Sequence, residues 1–182
     1  MEFTSDFNTH YLDTQYMFGD ALLVAPIMNE SGKGHYYLPE GQWTHFFTHE
    51  SIRGGKWISE DHDYFSLPLL VRENTILPLG HRDDDYVYPF DEAVELRVYH
   101  LKDNRPATRI VYDMAGEERL RITIEKIDQV ISIQLSAVQP CSVTLIGQAI
   151  SEKAEHISFD GLDTRISFAG NMTDALFTFH CV

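Results

Sequence analysis

From residue 94 onward, apolar and polar positions alternate with a period of two. Val94, Leu96 and Val98 interleave with Glu95, Arg97 and Tyr99. Leu120, Ile122 and Ile124 interleave with Arg121, Thr123 and Glu125, and Ile131, Ile133 and Leu135 with Ser132, Gln134 and Ser136. Successive side chains of a strand point to opposite faces, so this pattern predicts antiparallel strands with one face in a core. Phe177 and Phe179 flanking Thr178 add another, and shorter candidates lie at 109–112, 142–146, 156–159 and 165–168. Turn residues separate them: Asp103-Asn104, Ala115-Gly116, Pro140, Asp160-Gly161 and Gly170-Asn171. Short, evenly spaced strands with no sustained helical period predict a β-sandwich.

The first half is strand-rich in a different way, with runs apolar on both faces. Residues 21–27 form one such run, of the kind buried on two sides. Residues 35–38, 43–47 and 57–58 follow, the last after a turn at Arg53-Gly54-Gly55-Lys56. Residues 67–72 and 75–79 close the half, and the prolines at 68 and 78 predict that these two runs are edge or bulged strands. This much two-sided apolar strand predicts packing against a further domain. Between the halves stand His81, Arg82 and the acidic run Asp83-Asp84-Asp85, read as a solvated connection. The fold class predicted is all-β, two consecutive β-sandwich domains, with boundaries at 21–85 and 86–182 behind an amino-terminal arm over 1–20 that is loosely held.

Composition narrows the function. The 182 residues carry 28 Asp+Glu against 14 Lys+Arg, a formal net charge of -14, and 43% of them are hydrophobic. A core is affordable, while the charge argues against nucleic acid and against an anionic membrane surface as partners. The longest nearly apolar run, 21–28, is too short to span a bilayer. The start has neither a basic segment nor an apolar one, so no secretory signal is read there. Cys141 and Cys181 lack metal-ligand spacing and read as thiols of a reducing compartment, a single bridge between them staying open. A cytoplasmic location is the expectation.

Candidate chemistry is sparse. Nearly all acids fall in turns or on alternating strand faces; Asp20, within Phe18-Gly19-Asp20-Ala21-Leu22, is the main exception. It fits either a pocket carboxylate at a strand mouth or a turn carboxylate bonded to backbone amides. His35, His45 and His49 fit no zinc pattern and read as surface or interface histidines. Asp83-Asp84-Asp85 lacks the glycine and terminal glutamate of a calcium loop, and the glycine-rich 29–34 stretch lacks phosphate-loop spacing and reads as a hairpin loop. Trp43 and Trp57, with Tyr36 and Tyr37, could stack on sugar rings or anchor a core. No metal, no cofactor and no self-contained catalytic set is read from the residues.

The order of motifs adds a resemblance. Gln15-Tyr16-Met17-Phe18-Gly19-Asp20-Ala21-Leu22-Leu23-Val24-Ala25-Pro26 resembles the segment closing the catalytic barrel of glycoside hydrolase family 31. Tyr37-Leu38-Pro39-Glu40-Gly41-Gln42-Trp43, then Gly54-Gly55-Lys56-Trp57, then the stretch from Leu67 to Leu79, resemble the family's next three motifs in order. Met1-Glu2-Phe3 and Gln15-Tyr16-Met17 bring the resemblance nearest to bacterial α-xylosidases.

That resemblance implies the C-terminal portion of a retaining α-glycosidase, with the 1–20 arm a remnant of the last strand region of a (β/α)8 barrel. It implies a parent acting on α-xylosides or α-glucosides through two aspartates whose motifs lie upstream of this sequence, so no catalytic residue is carried over. The missing barrel is then the main partner, a homo-oligomer contact a further one, and the chain alone is expected to be inert. Phe18, Gly19 and Asp20 would lie near substrate in the whole enzyme, and Leu69, Leu70 and Ile76 would face the barrel. The rival is a free-standing carbohydrate-binding module using Trp43 and Trp57.

Overall fold

A computed structural model describes residues 3–82, 84, 89–170 and 172–181. Asp83 and Asp85 of the expected acidic connection, Met1-Glu2 of the resemblance and Asn171 of an expected turn lie outside the described residues. Among the described residues, apart from a three-residue 3-10 turn, Phe7–Thr9, the regular structure is all strand. The chain forms two compact units, one ending at Glu73 and the other starting at Asn74.

The first unit holds β1 (Tyr16–Phe18), β2 (Leu22–Val24), β3 (Lys33–Leu38), β4 (Gln42–His45), β5 (Ser51–Arg53), β6 (Lys56–Asp61) and β7 (Leu69–Arg72). Five of these make an antiparallel sheet in the order β1-β2-β7-β4-β5, and β3 pairs with β6 as a second, two-stranded sheet. Leu23 and Ala25, Trp43 and Leu70 come from the first sheet and its margins, Tyr36 and Leu38 from the second, and together they form one buried cluster. Burying these side chains from both layers supplies the hydrophobic stabilisation that three- and four-residue strands lack by themselves.

Three expectations for this half are corrected. The arm is not loosely held: β1 pairs with β2, and the Gln15 side chain clamps the amide and carbonyl of Tyr37, both at 2.7 Å. Phe3 packs on Trp43 at 6.2 Å between ring centroids, with the Arg72 guanidinium over its ring. The run at 67–72 is central, not an edge, because Pro68 lies just outside β7 and removes no ladder hydrogen bond. Leu70 is fully buried in its own unit and Leu69 half-buried, so Leu70 offers no face to a barrel.

The second unit holds β8 (Thr75–Leu79), β9 (Glu95–Tyr99), β10 (Ala107–Tyr112), β11 (Glu118–Ile127), β12 (Val130–Ala137), β13 (Cys141–Ile146), β14 (Ile157–Phe159), β15 (Thr164–Phe168) and β16 (Met172–His180). The run at 75–79 was expected in the proximal domain. As β8 it pairs instead with β9, from Thr75 opposite Tyr99 to Leu79 opposite Glu95, and so belongs to this unit. There it is an edge strand, as Pro78 predicted, and Ile76 lies in the unit's own core rather than facing a barrel.

Two sheets face each other here, β10-β11-β12-β16 and β14-β15-β13-β9-β8. The period-two pattern decides the faces. Leu120, Ile122 and Ile124 on β11 and Ile131, Ile133 and Leu135 on β12 are buried, paired so that Ile122 meets Leu135 and Ile124 meets Ile133. Leu96, Val98, Val143, Leu145 and Ile166 complete the core from the other sheet. Asp128, at φ 54°, turns the two-residue hairpin from Ile127 to Val130. One pairing departs from the antiparallel expectation: β13 runs parallel to β9. Strands this far apart in sequence are joined through the opposite sheet, so no tight hairpin fixes their relative direction.

Candidate functional site

Phe18, Gly19 and Asp20 form the turn between β1 and β2, closed by the pairing of Phe18 with Leu22. Gly19 takes a left-handed φ of 67°, which a residue without a Cβ adopts without strain. All three are exposed, Phe18 by 66%. Asp20 is thus on a turn at the surface of its unit rather than in an apolar enclosure. Phe7, Tyr11 and Tyr16 are also exposed, so this N-terminal stretch carries four solvent-facing aromatic rings.

The two tryptophans part company. Trp43 is 1% exposed, and its indole Nε1 donates to the Pro39 carbonyl at 2.9 Å. A ring with no open face cannot stack on a sugar, so Trp43 is withdrawn as a sugar platform; it is a core anchor. Trp57 is 47% exposed on β6, with His35 stacked flat on it at 4.9 Å and Tyr37 tilted against it at 5.5 Å.

The polar centre of the first unit is Glu60, which pattern reasoning passed over. Its Oε1 accepts the Tyr36 hydroxyl at 2.9 Å and faces His62 Nε2 at 2.9 Å, while His62 Nδ1 meets Ser66 Oγ at 3.2 Å. Tyr36 is fully buried, and burial together with the neighbouring Glu60 carboxylate pushes its hydroxyl pKa well up. The strand alternation around 56–61 is the available signal, since it turns Glu60 to the side opposite Trp57-Ser59-Asp61. His45, expected at the surface or an interface, is buried within the first unit. Its Nδ1 accepts the amides of Phe47 and Thr48 at 3.3 and 3.4 Å, and burial lowers its pKa, so the neutral ring is favoured.

A retaining glycosidase needs a carboxyl kept protonated near neutral pH beside a second, ionised one. Among the described residues, the carboxyls that depart from their ordinary range go down. Ser66 and the Phe65 amide lower Asp63, Arg82 lowers Asp84, and His180 lowers Glu152. Burial alone would raise Glu95, but hydrogen bonds from Thr144 at 2.7 Å and Arg97 at 3.3 Å outweigh it. Among the described residues no three His, Cys, Asp or Glu side chains gather as metal ligands, and Cys141 and Cys181 stand as free thiols.

Comparison with known proteins gives these features a context. Residues 1–77 match the glycosyl hydrolase family 31 C-terminal domain, and residues 89–175 match the C-terminal domain of alpha-xylosidase YicI. The alpha-xylosidase XylQ of Lactiplantibacillus pentosus is 36% identical over 129 residues, covering 69% of this chain and 17% of that protein. An alpha-xylosidase of Emericella nidulans is 42% identical over 90 residues, 45% of this chain and 12% of its own length. The chain therefore spans less than a fifth of either relative. A family 31 dextranase structure from Flavobacterium johnsoniae superposes with a TM-score of 0.77 over 98% of this chain and 28% of its own, at 21% identity, a likeness of fold.

Proposed function

The chain belongs to the C-terminal region of glycosyl hydrolase family 31, and from that premise we propose that it is the non-catalytic β-sandwich region of a retaining α-glycosidase acting on α-xylosides or α-glucosides in carbohydrate metabolism. The observation carrying this reading is the succession of two C-terminal family matches, 1–77 then 89–175, over a chain spanning under a fifth of its α-xylosidase relatives.

Its own residues support a scaffold rather than a catalyst. Bond cleavage with retention requires two opposed carboxyls about 5–5.5 Å apart, one of them raised in pKa. The perturbed carboxyls here are held in their charged form by hydrogen bonds, the reverse of what a general acid needs. Phe7, Tyr11, Tyr16 and Phe18 instead supply an apolar surface of the kind a neighbouring domain covers. In this reading they seat the catalytic barrel, and the Phe18-Gly19-Asp20 turn lies toward its mouth. The cytoplasm is the compartment proposed, in keeping with two free thiols.

Complementation tests the reading. A family 31 catalytic barrel produced without its C-terminal region should gain solubility and α-xylosidase activity when this chain is co-expressed. A barrel equally soluble and active without it would contradict the scaffold role.

A further inference from the structure

We propose that the outer face of the β3–β6 pair is a binding surface for a short neutral oligosaccharide, centred on the Trp57–His35 stack. The pairing sets three cross-strand rows on one face: Lys33 with Asp61, His35 with Ser59, and Tyr37 with Trp57. The His35 ring lies 10° from parallel to the Trp57 ring, and its Nδ1 is fixed by Ser59 Oγ at 2.8 Å. The stack is therefore held flat before any ligand arrives, which limits the ordering entropy of binding.

Ligand chemistry follows from what surrounds the rings. His35 backs Trp57 on one side and the buried Tyr37 leans against it, yet the indole keeps about half of its surface exposed. Beside the stack opens a cleft of about 320 Å³ lined by Lys33, Gly34, His35, Ser59, Glu60 and Asp61, with Glu60 already engaged by Tyr36 and His62. Neither the Lys33 ammonium nor the Asp61 carboxylate has an ion-pair or hydrogen-bond partner among the described residues. One ammonium against two carboxylates disfavours an anionic ligand, while the unspent Lys33 and Asp61 groups suit one that is uncharged and rich in hydroxyls. A flat ring next to such groups suits a pyranose, whose C–H face is apolar and whose rim is polar. Cross-strand packing accounts for the Tyr37–Trp57 contact, but a core role leaves unexplained why the ring stays half exposed beside unspent polar groups. The inference stands on this surface chemistry and does not require the family reading.

Trp43 is buried, so a ligand-induced change in tryptophan emission reports Trp57. Maltotriose and, separately, xylotriose are titrated into the 182-residue chain, followed by fluorescence and by ligand-observed NMR. A saturable response with a millimolar midpoint is expected for at least one sugar. Trp57→Ala should abolish it, and Asp61→Asn, an exposed change that leaves the melting temperature in place, should weaken it about tenfold. Flat titrations with both sugars overturn the proposal, as does native-like binding by a folded Trp57→Ala or by Asp61→Asn protein.

Discussion

The Trp43 indole donates its N–H to the carbonyl of Pro39 at 2.9 Å, and Gly54 lies directly against that same carbonyl. Two motifs that look independent in sequence, the Tyr37–Trp43 stretch and the Gly54-Gly55 turn, thus meet at one backbone oxygen. Gly54 and Gly55 also donate their amides to the carbonyls of Gly41 and Leu38, at 2.9 and 2.7 Å. Only a residue without a Cβ fits, since one built on Gly54 would collide with the Pro39 carbonyl. Gly54→Ala should therefore destabilise the first unit by about 1–3 kcal/mol or more, read from urea unfolding. A stability within error of the native protein would show that the backbone here is free to move.

Alkaline pH should destabilise the fold in a defined window. Burial raises the Cys141 thiol from 9.0 to about 11 and the Tyr99 hydroxyl from 10.0 to about 12, and Tyr36 rises as well. All three are neutral acids held protonated in the folded state. Their share of stability is complete below the unfolded-chain values and is lost as pH climbs through them toward the folded values. Chemical unfolding at pH 7 and at pH 11 should differ, with Cys141 contributing on the order of 2–3 kcal/mol. Cys141→Ala should flatten the profile between pH 9 and 11; an unchanged slope would refute the assignment.

At the acid end the sign reverses. Glu95 is held below its ordinary pKa by Thr144 and Arg97, so it stabilises above the unfolded-chain value and that contribution fades as pH falls. Glu95→Gln should cost about 1–2 kcal/mol at pH 7 and progressively less below about pH 4. A penalty independent of pH would place the effect in packing rather than charge.

How much of this was legible beforehand depended on how regularly each segment alternates. Leu120, Ile122 and Ile124 opposite Ile131, Ile133 and Leu135 declare their faces outright, and the strands they predict are present. The parallel pairing of β13 with β9 was not legible, because alternation specifies a face and not a neighbour. Tyr16–Phe18 and Ser51–Arg53 are too short for any period to show, yet the first of them ties down the supposed arm. Trp43 and Trp57 look equivalent in composition, and only the fold, which buries Trp43 against Phe3 and the Pro39 carbonyl and leaves Trp57 half exposed, separates a core ring from a surface one. The Glu60–His62–Tyr36 group escaped because Glu60 sits on a strand whose other positions are mostly polar.

The aromatic surface of the N-terminal stretch should betray itself in solution. With Phe7, Tyr11, Tyr16 and Phe18 uncovered, the isolated chain is expected to self-associate with rising concentration in sedimentation velocity. Replacing Tyr11 and Phe18 by serine should return it toward monomer. A native protein strictly monomeric throughout would mean that this surface needs no cover.

The most direct test is turnover by the purified chain on nitrophenyl α-xyloside and nitrophenyl α-glucoside. Nitrophenol release should not exceed the uncatalysed rate with either substrate. Sustained release that disappears on replacing one of the chain's own carboxylates would contradict the account, because it would require an acid pair within these 182 residues.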